Sequence, residues 1–248
     1  MRVILVALCL TVAACSAPPT AVATTRARTP APTLFITTTA PTTSPSATAS
    51  AFRYVAIGAS DTVGVGAADP RTGSWPARIA ARLPAATDYV NLGVSGSQAA
   101  QAAREQAPAA AGLRPQLVTV WLAVNDLNAG VSAVDYAASL RAVVEPLVSK
   151  TQARIFIGNV PDLRPVPAYA GVDQATLLSK IVAYNAAIET LTVAYAGRVT
   201  VVDLATGSAA LVSTMTVSGD GFHPSDAGYA LIADRFLAAI AAAGIALR

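Results

Sequence analysis

Two short segments far apart in the sequence carry residues that could activate a hydroxyl group. Ser60 lies between Gly58 and Gly64, in a turn that follows an apolar run. Asp220 stands three residues before His223, the only histidine of the chain. A serine hydroxyl is inert at neutral pH unless a base takes its proton, and that base needs a partner to fix its tautomer. His223 and Asp220 suit these two roles. A single histidine is more often structural, but its place in a loop before the last helix favours catalysis.

Two further segments could stabilise negative charge on a reacting oxygen. One runs from Asn91 to Gly96, and the other is Ala123-Val124-Asn125-Asp126. Acyl transfer develops an oxyanion, which backbone amides and asparagine side chains can stabilise. Taken singly, such residues are also typical of ordinary turns and caps.

The sequence contains no motif for binding nucleotides or metal ions. The pattern G-x-G-x-x-G fails because Asp69 occupies the position of its third glycine, and no G-K-[ST] occurs. The elbow G-x-S-x-G fails at Thr62. With one histidine and no cysteine after Cys15, the usual zinc ligands cannot be assembled. A carboxylate-only metal site stays open without a motif, and we expect neither a cofactor nor a metal.

Strands and helices alternate along the remainder of the chain. The predicted strands are Arg53 to Gly58, Asp88 to Leu92, Leu117 to Ala123, Arg154 to Asn159 and Arg198 to Asp203. The clearest helices are Val131 to Lys150, Asp173 to Tyr195 and a last one from Ser225 towards Leu247. This order predicts a parallel sheet covered by helices on both faces, with ligands at the carboxyl ends of the strands. The candidate segments all fall at those ends.

Taken together and in this order, the segments resemble the SGNH (GDSL-type) hydrolase family over residues 53 to 245. The residues that match are Ser60, Gly96, Asn125 and His223, which name the family, and Asp220 as the third member of a catalytic triad. The resemblance implies that Ser60 is the nucleophile and His223 the general base and acid. It also implies an oxyanion hole formed by the Ser60 amide, the Gly96 amide and the Asn125 side chain.

The match leaves one choice open and contains two departures. Gly93 is the alternative to Gly96 as the amide donor. Ala59 replaces the aspartate of the family's Gly-Asp-Ser, and Ala123 replaces the glycine two positions before the asparagine. Neither change removes a reacting group.

The fold that this resemblance implies is a three-layer α/β/α, flavodoxin-like domain with a five-stranded parallel sheet. The implied function is that of a serine hydrolase, an esterase or lipase that cleaves lipid, acyl or O-acetyl-sugar esters through an acyl-enzyme. The alternative is a catalytically inactive surface lipoprotein that uses the same fold to bind carbohydrate or lipid.

The beginning of the chain predicts export. Residues 1–14 have the charged head and short apolar core of a signal peptide, and Val12-Ala13-Ala14-Cys15 resembles the lipobox of bacterial lipoproteins. Residues 15–51 would form a lipidated, disordered tether rich in threonine, proline and alanine, and residues 52–248 the hydrolase domain. The expected location is extracytoplasmic, anchored to the bacterial membrane by lipid on Cys15. Ordinary secretion, with cleavage after Ala21-Val22-Ala23, is the alternative.

Charge argues against nucleic acid as a partner. The chain carries a formal net charge of +3, but residues 52–248 contain fourteen basic and fourteen acidic residues. A phosphate-binding surface needs clustered positive charge, and none is visible. The expected partners are an ester substrate and a membrane, and we expect a monomer.

Overall fold

The computed structural model describes residues 52–212 and 216–248. The predictions for the signal peptide, Cys15 and the tether lie outside these residues. Five strands form one sheet in the order β2-β1-β3-β4-β5, and every pair is parallel. Their bounds are β1 Arg53–Gly58, β2 Asp88–Asn91, β3 Leu117–Trp121, β4 Arg154–Gly158 and β5 Val199–Val202. The predicted five-stranded parallel sheet is confirmed.

Nine α-helices connect or follow the strands within the described residues. Their bounds are α1 Ser60–Val63, α2 Pro70–Gly73, α3 Trp75–Ala80, α4 Ala99–Arg104, α5 Gln106–Gly112, α6 Val124–Asn128, α7 Ala133–Lys150, α8 Gln174–Ala194 and α9 Asp226–Ala242. The three long helices confirm the sequence predictions and begin at polar caps. The side chains of Ser132, Asp173 and Ser225 each accept a hydrogen bond from an amide three residues later, at the start of α7, α8 and α9.

The sheet is buried on both faces because neighbouring residues in a strand point to opposite sides. In β1, Val55 and Ile57 belong to a core cluster with α4, α5, α7 and α8. Tyr54 and Ala56 belong to a second cluster with residues of α3 and α9. Three layers result, as predicted. The edge strand β2 is only half-buried, so the expected burial on both faces holds for the inner strands.

The strand order places a crevice above β1 and β3. The connections from β1 and β3 leave in opposite directions, towards β2 on one side and β4 on the other. In such sheets, ligands bind where the connections diverge, at the carboxyl ends of the strands. Gly58 and Trp121 are register partners at the ends of these two strands. Ser60 and Asn125 follow them within a few residues.

Gly58 is required by the close approach of β3 and α1. A Cβ atom at this position would lie 2.7 Å from the Trp121 carbonyl oxygen and also against the Thr62 side chain. A larger residue would therefore separate the two strand ends from which the site is built.

Helix α8 is long and apolar enough to cross a membrane by length and composition alone, and it is the one such helix in the described part of the chain. Its side chains Leu177, Ile181, Tyr184 and Ile188 are buried in the larger core cluster. A core helix of a globular domain shows the same features.

The backbone at Ala123 corrects one predicted strand boundary. Strand β3 ends at Trp121, because the chain turns at Ala123 with φ 118° before α6 begins. This conformation is costly for a residue with a Cβ atom, by about 1–3 kcal/mol. The glycine that the family has at this position would adopt it without strain.

Replacing Ala123 with glycine should therefore stabilise the fold. Relief of strain outweighs the greater entropy of the unfolded glycine chain and the loss of one buried methyl group, leaving a gain of about 0.5–1 kcal/mol. The matched control is Ala138→Gly on the exposed face of α7, where the same change should cost about 1 kcal/mol. Urea unfolding of both variants measures the difference. Equal losses of stability would contradict the strain at Ala123.

Candidate active site

Ser60, His223 and Asp220 form one hydrogen-bonded chain. His223 Nε2 lies 2.9 Å from Ser60 Oγ, and His223 Nδ1 lies 2.6 Å from Asp220 Oδ2. The carboxylate can only accept, so Nδ1 carries the proton and Nε2 is left to accept the hydroxyl proton of Ser60. The structure thus brings Ser60 and His223, which are 163 positions apart in the chain, into hydrogen-bond contact.

The Asp220 carboxylate is held by a local set of donors. Its Oδ1 accepts hydrogen bonds from Ser218 Oγ at 2.7 Å, the Phe222 amide at 2.9 Å and the His223 amide at 3.0 Å. Partial burial alone would raise the pKa of Asp220, but the hydrogen bonds from His223, Ser218 and the amides hold this pKa well below its usual range. The group therefore stays ionised and fixes the imidazole in one orientation.

The structure narrows the choice among the candidate oxyanion donors. The amides of Ser60 and Gly96 have no acceptor in the described part of the chain. Gly96 is exposed at φ 79° in the turn closed by the Ser97 amide and the Val94 carbonyl. The alternative donor, the Gly93 amide, is engaged at 2.9 Å by Asn91 Oδ1. Gly96 is therefore the better candidate of the two.

A buried glutamine that no sequence motif marks joins the nucleophile's strand to this turn. Gln106 Oε1 accepts from the Gly58 amide at 2.9 Å, and its Nε2 donates to the Gly58 carbonyl and to Ser97 Oγ. Asn125 Nδ2 donates to the Ser97 carbonyl at 3.0 Å. One amide hydrogen of Asn125 fixes the side chain, and the second remains for a substrate oxygen. In an alanine-rich helix, Gln106 looks like a solvent-facing residue, so only the fold reveals this contact.

Asp61 is a second residue of the site that no sequence motif marks. The family name spells Gly-Asp-Ser-Leu, whereas this chain has Gly58-Ala59-Ser60-Asp61, so its acidic residue follows the serine instead of preceding it. Asp61 is half-buried beside the triad. Burial raises the pKa of Asp61 to about 6, and the nearby His223 opposes that rise.

Removing this carboxyl group should stabilise the protein at neutral and higher pH. Folded Asp61 keeps its proton up to about pH 6, whereas the unfolded residue loses it near 3.8. The folded state binds more protons between these values, so its stability falls as the pH rises through them. Asp61→Asn should therefore raise the free energy of unfolding near pH 8 by about 1–3 kcal/mol, since the side chain keeps some contact with water. Melting curves should show this gain shrinking to nothing near pH 4. Equal melting temperatures at pH 8 would contradict it.

An apolar pocket opens next to Asp61 at the carboxyl ends of β3, β4 and β5. Its volume is about 130 Å³. Most of its lining is hydrophobic, including Trp121, Val124, Leu163, Val166, Phe222 and Leu231, while Asp61, Asp162 and Arg235 contribute charge. Phe222 and Pro224 of the lining flank His223 in the sequence, so the pocket lies beside the triad.

The described residues contain no cluster of three or more histidine, cysteine, aspartate or glutamate side chains able to hold a metal ion. The reacting groups that the geometry offers are a hydroxyl, an imidazole and a carboxylate. Together with free amide donors and an apolar pocket, they define the class of serine hydrolases.

Comparison with known proteins places the chain in a family. The sequence profile of the GDSL-like lipase/acylhydrolase family matches residues 56–231. The chain therefore belongs to this family, and the protein is an SGNH-type carboxylic ester hydrolase. None of the curated proteins matches the sequence.

Solved structures share the fold at low sequence identity. TesA is 18% identical with a TM-score of 0.62, covering 76% of this chain and 97% of its own. A lipolytic GDSL-family protein of Veillonella parvula is 17% identical with a TM-score of 0.62, covering 77% and 99%. A variant of an acetyl-xylooligosaccharide esterase from Geobacillus Stearmophilus is 20% identical with a TM-score of 0.61, covering 76% and 94%. These likenesses confirm the three-layer fold.

Proposed function

We propose that the protein hydrolyses lipid, acyl or O-acetyl-sugar esters through an acyl-enzyme on Ser60, at the cell envelope. The observation that carries the mechanism is the unbroken chain of hydrogen bonds from Ser60 Oγ through His223 to Asp220. A binding module without catalysis has no need of a base and its orienting acid in this geometry.

The chemistry follows from the positions of the donors and acceptors. Ser60 Oγ attacks the ester carbonyl carbon while His223 Nε2 takes its proton. The amides of Ser60 and Gly96 and the side chain of Asn125 stabilise the oxyanion. His223 then passes the proton to the leaving alcohol, and a water molecule repeats the steps to release the acid and free Ser60.

Covalent labelling tests the acyl-enzyme directly. A fluorophosphonate should modify the purified domain at one residue, which peptide mass spectrometry should identify as Ser60. The same sample should hydrolyse p-nitrophenyl acetate, and prior labelling should remove that activity. Hydrolysis that survives complete labelling, or label on another serine, would overturn the proposal. The absence of both would favour the inactive binding protein.

Asn125→Ala should lower kcat by about 10²–10³ if the side-chain amide stabilises the oxyanion. KM should change little, because a developing charge is felt most in the transition state. The matched control is Asn128→Ala at the end of the same helix, whose Oδ1 accepts a hydrogen bond from Tyr169. Initial rates over a range of ester concentrations separate the two parameters. A change in KM alone would make Asn125 a substrate-binding residue instead.

The location is proposed from the lipobox-like run ending at Cys15 and the tether that follows it. Two or more acyl chains give stable attachment, because each buried methylene contributes about 0.8 kcal/mol. In a bacterium that processes lipoproteins, the protein should fractionate with membranes, and Cys15→Ser should disrupt its lipid-dependent processing. A soluble protein with Thr24 as its mature first residue would show ordinary secretion.

A further inference from the structure

We propose that Asp61 sets the substrate preference of this site. Its carboxylate favours esters whose pocket-bound part carries a hydroxyl or ammonium donor, and it disfavours esters with a plain alkyl chain there. The inference rests on the proposed function, because it concerns the ester that Ser60 attacks.

The first argument is the position of Asp61. It follows Ser60 directly in α1, and it lines the apolar pocket together with Trp121 and Val124. It also lines a second, much smaller cavity that reaches Asn125. Asp61 is thus the chain neighbour of the nucleophile and part of the pocket wall, so a group bound in the pocket can contact its carboxylate.

The second argument is that the backbone amide of Asp61 itself is the one donor to this carboxylate among the described residues. In the described ranges, no other residue donates a hydrogen bond to its oxygens. The carboxylates that act on it or line the same pocket are engaged: Asp220 accepts from Ser218 Oγ, and Asp162 pairs with Arg164 at 2.6 Å. Among these three, Asp61 alone receives no hydrogen bond from another described residue, which leaves its remaining acceptor sites for a ligand or water.

The groups around Asp61 define its electrostatic surroundings. Tyr229 of α9 and Tyr169 lie close enough that, beyond the effect of burial, the charge of Asp61 raises the pKa of each phenol. His223 and Asp220 act on Asp61 with opposite signs, His223 favouring its ionised form. The one cation among these four groups would be His223, and its ring is already committed to Asp220 and Ser60.

The energetic consequence follows from solvation. An alkyl chain that fills the pocket removes water from the carboxylate and supplies no hydrogen bond in return, which is costly. A hydroxyl or ammonium group on the substrate replaces that water with a charge-assisted hydrogen bond. A site with an unpaired polar group discriminates against analogues that lack the matching donor. The raised pKa of Asp61 reports the same cost of burial.

The test compares two series of esters as substrates of the wild-type protein and its variants. One series pairs p-nitrophenyl octanoate with p-nitrophenyl acetate, and the other pairs octyl acetate with glyceryl monoacetate. For each series, kcat/KM is measured for both esters with the wild type, Asp61→Leu and Asp61→Asn. The value for the alkyl-rich ester is then divided by the value for the smaller or hydroxylated ester. Asp234→Asn removes a carboxylate from the exposed face of α9, outside the pocket, and serves as the control.

The p-nitrophenyl esters differ in their acyl part, and the two acetates differ in their alcohol part. In the series that varies the part bound in the pocket, Asp61→Leu should raise this ratio of kcat/KM values by about tenfold or more. Asp61→Asn should raise it by a smaller amount, and Asp234→Asn should leave it unchanged. If Asp61→Leu fails to fold, the isosteric Asp61→Asn decides alone. Ratios in both series that match the wild type would overturn the role of Asp61. Failure of the proposed function is distinct, because the wild type would then neither hydrolyse p-nitrophenyl acetate nor take up a fluorophosphonate.

Discussion

Ser60→Ala should lower kcat by about 10⁶-fold, to the level that binding and the oxyanion donors supply alone. The change removes the atom that forms the acyl-enzyme, while the 8% exposed side chain loses only one hydroxyl. The fold and the melting temperature should therefore change little. Ester hydrolysis and fluorophosphonate labelling measure the loss.

The matched control is Ser149→Ala on α7, where the hydroxyl donates only to the Glu145 carbonyl. This variant should keep wild-type turnover. A Ser60→Ala enzyme that retained a tenth of the activity would show that another group attacks the ester, and the triad assignment would be wrong.

Asp220→Asn should reduce turnover by up to about 10⁴-fold. The carboxamide keeps the shape of the side chain but no longer stabilises an imidazolium, and its amide group can present a hydrogen to Nδ1. His223 would then hold its proton on Nε2, facing Ser60, and could not act as a base. The kcat of the purified variant, compared with its melting temperature, separates this effect from loss of structure.

Asp226→Asn is the control for the second prediction, because Asp226 lies nearby but bonds to Arg78 and the Ala68 amide instead of His223. It should affect stability more than kcat. If Asp226→Asn lost as much kcat as Asp220→Asn, the imidazole would depend on the total negative charge around it. A specific hydrogen bond to Asp220 that orients the ring would then be contradicted.

The sequence allowed the fold and the reacting residues to be predicted because both depend on local signals. Apolar strands alternate with capped helices, and each candidate segment directly follows a strand or precedes a helix. In a parallel sheet these positions meet at one edge, whatever their separation in the chain. The resemblance to the family groups Ser60, His223 and Asp220 into one triad, and this topology is consistent with that grouping.

The supporting contacts could not be predicted, because they depend on tertiary packing. Gln106 reaches Gly58 across 48 positions, and no periodicity in α5 distinguishes it from an exposed polar residue. Asp61 looks like a first-turn residue of a short helix until the pocket beside it is known. The φ of Ala123 depends on how β3 leaves the sheet, so the predicted strand extended two residues too far.

The buried contact between Gln106 and Gly58 also limits the motion of the site. Gly58 bonds to the Gln106 side chain through both its amide and its carbonyl, and none of these atoms belongs to a mobile surface loop. Opening this contact requires α5 to leave the sheet, which exposes the larger core. The Gly58 amide hydrogen should therefore exchange with solvent deuterium only through global unfolding. The backbone beneath the nucleophile would then be among the most slowly exchanging parts of the molecule, even though the Gly96 turn beside it is open to water.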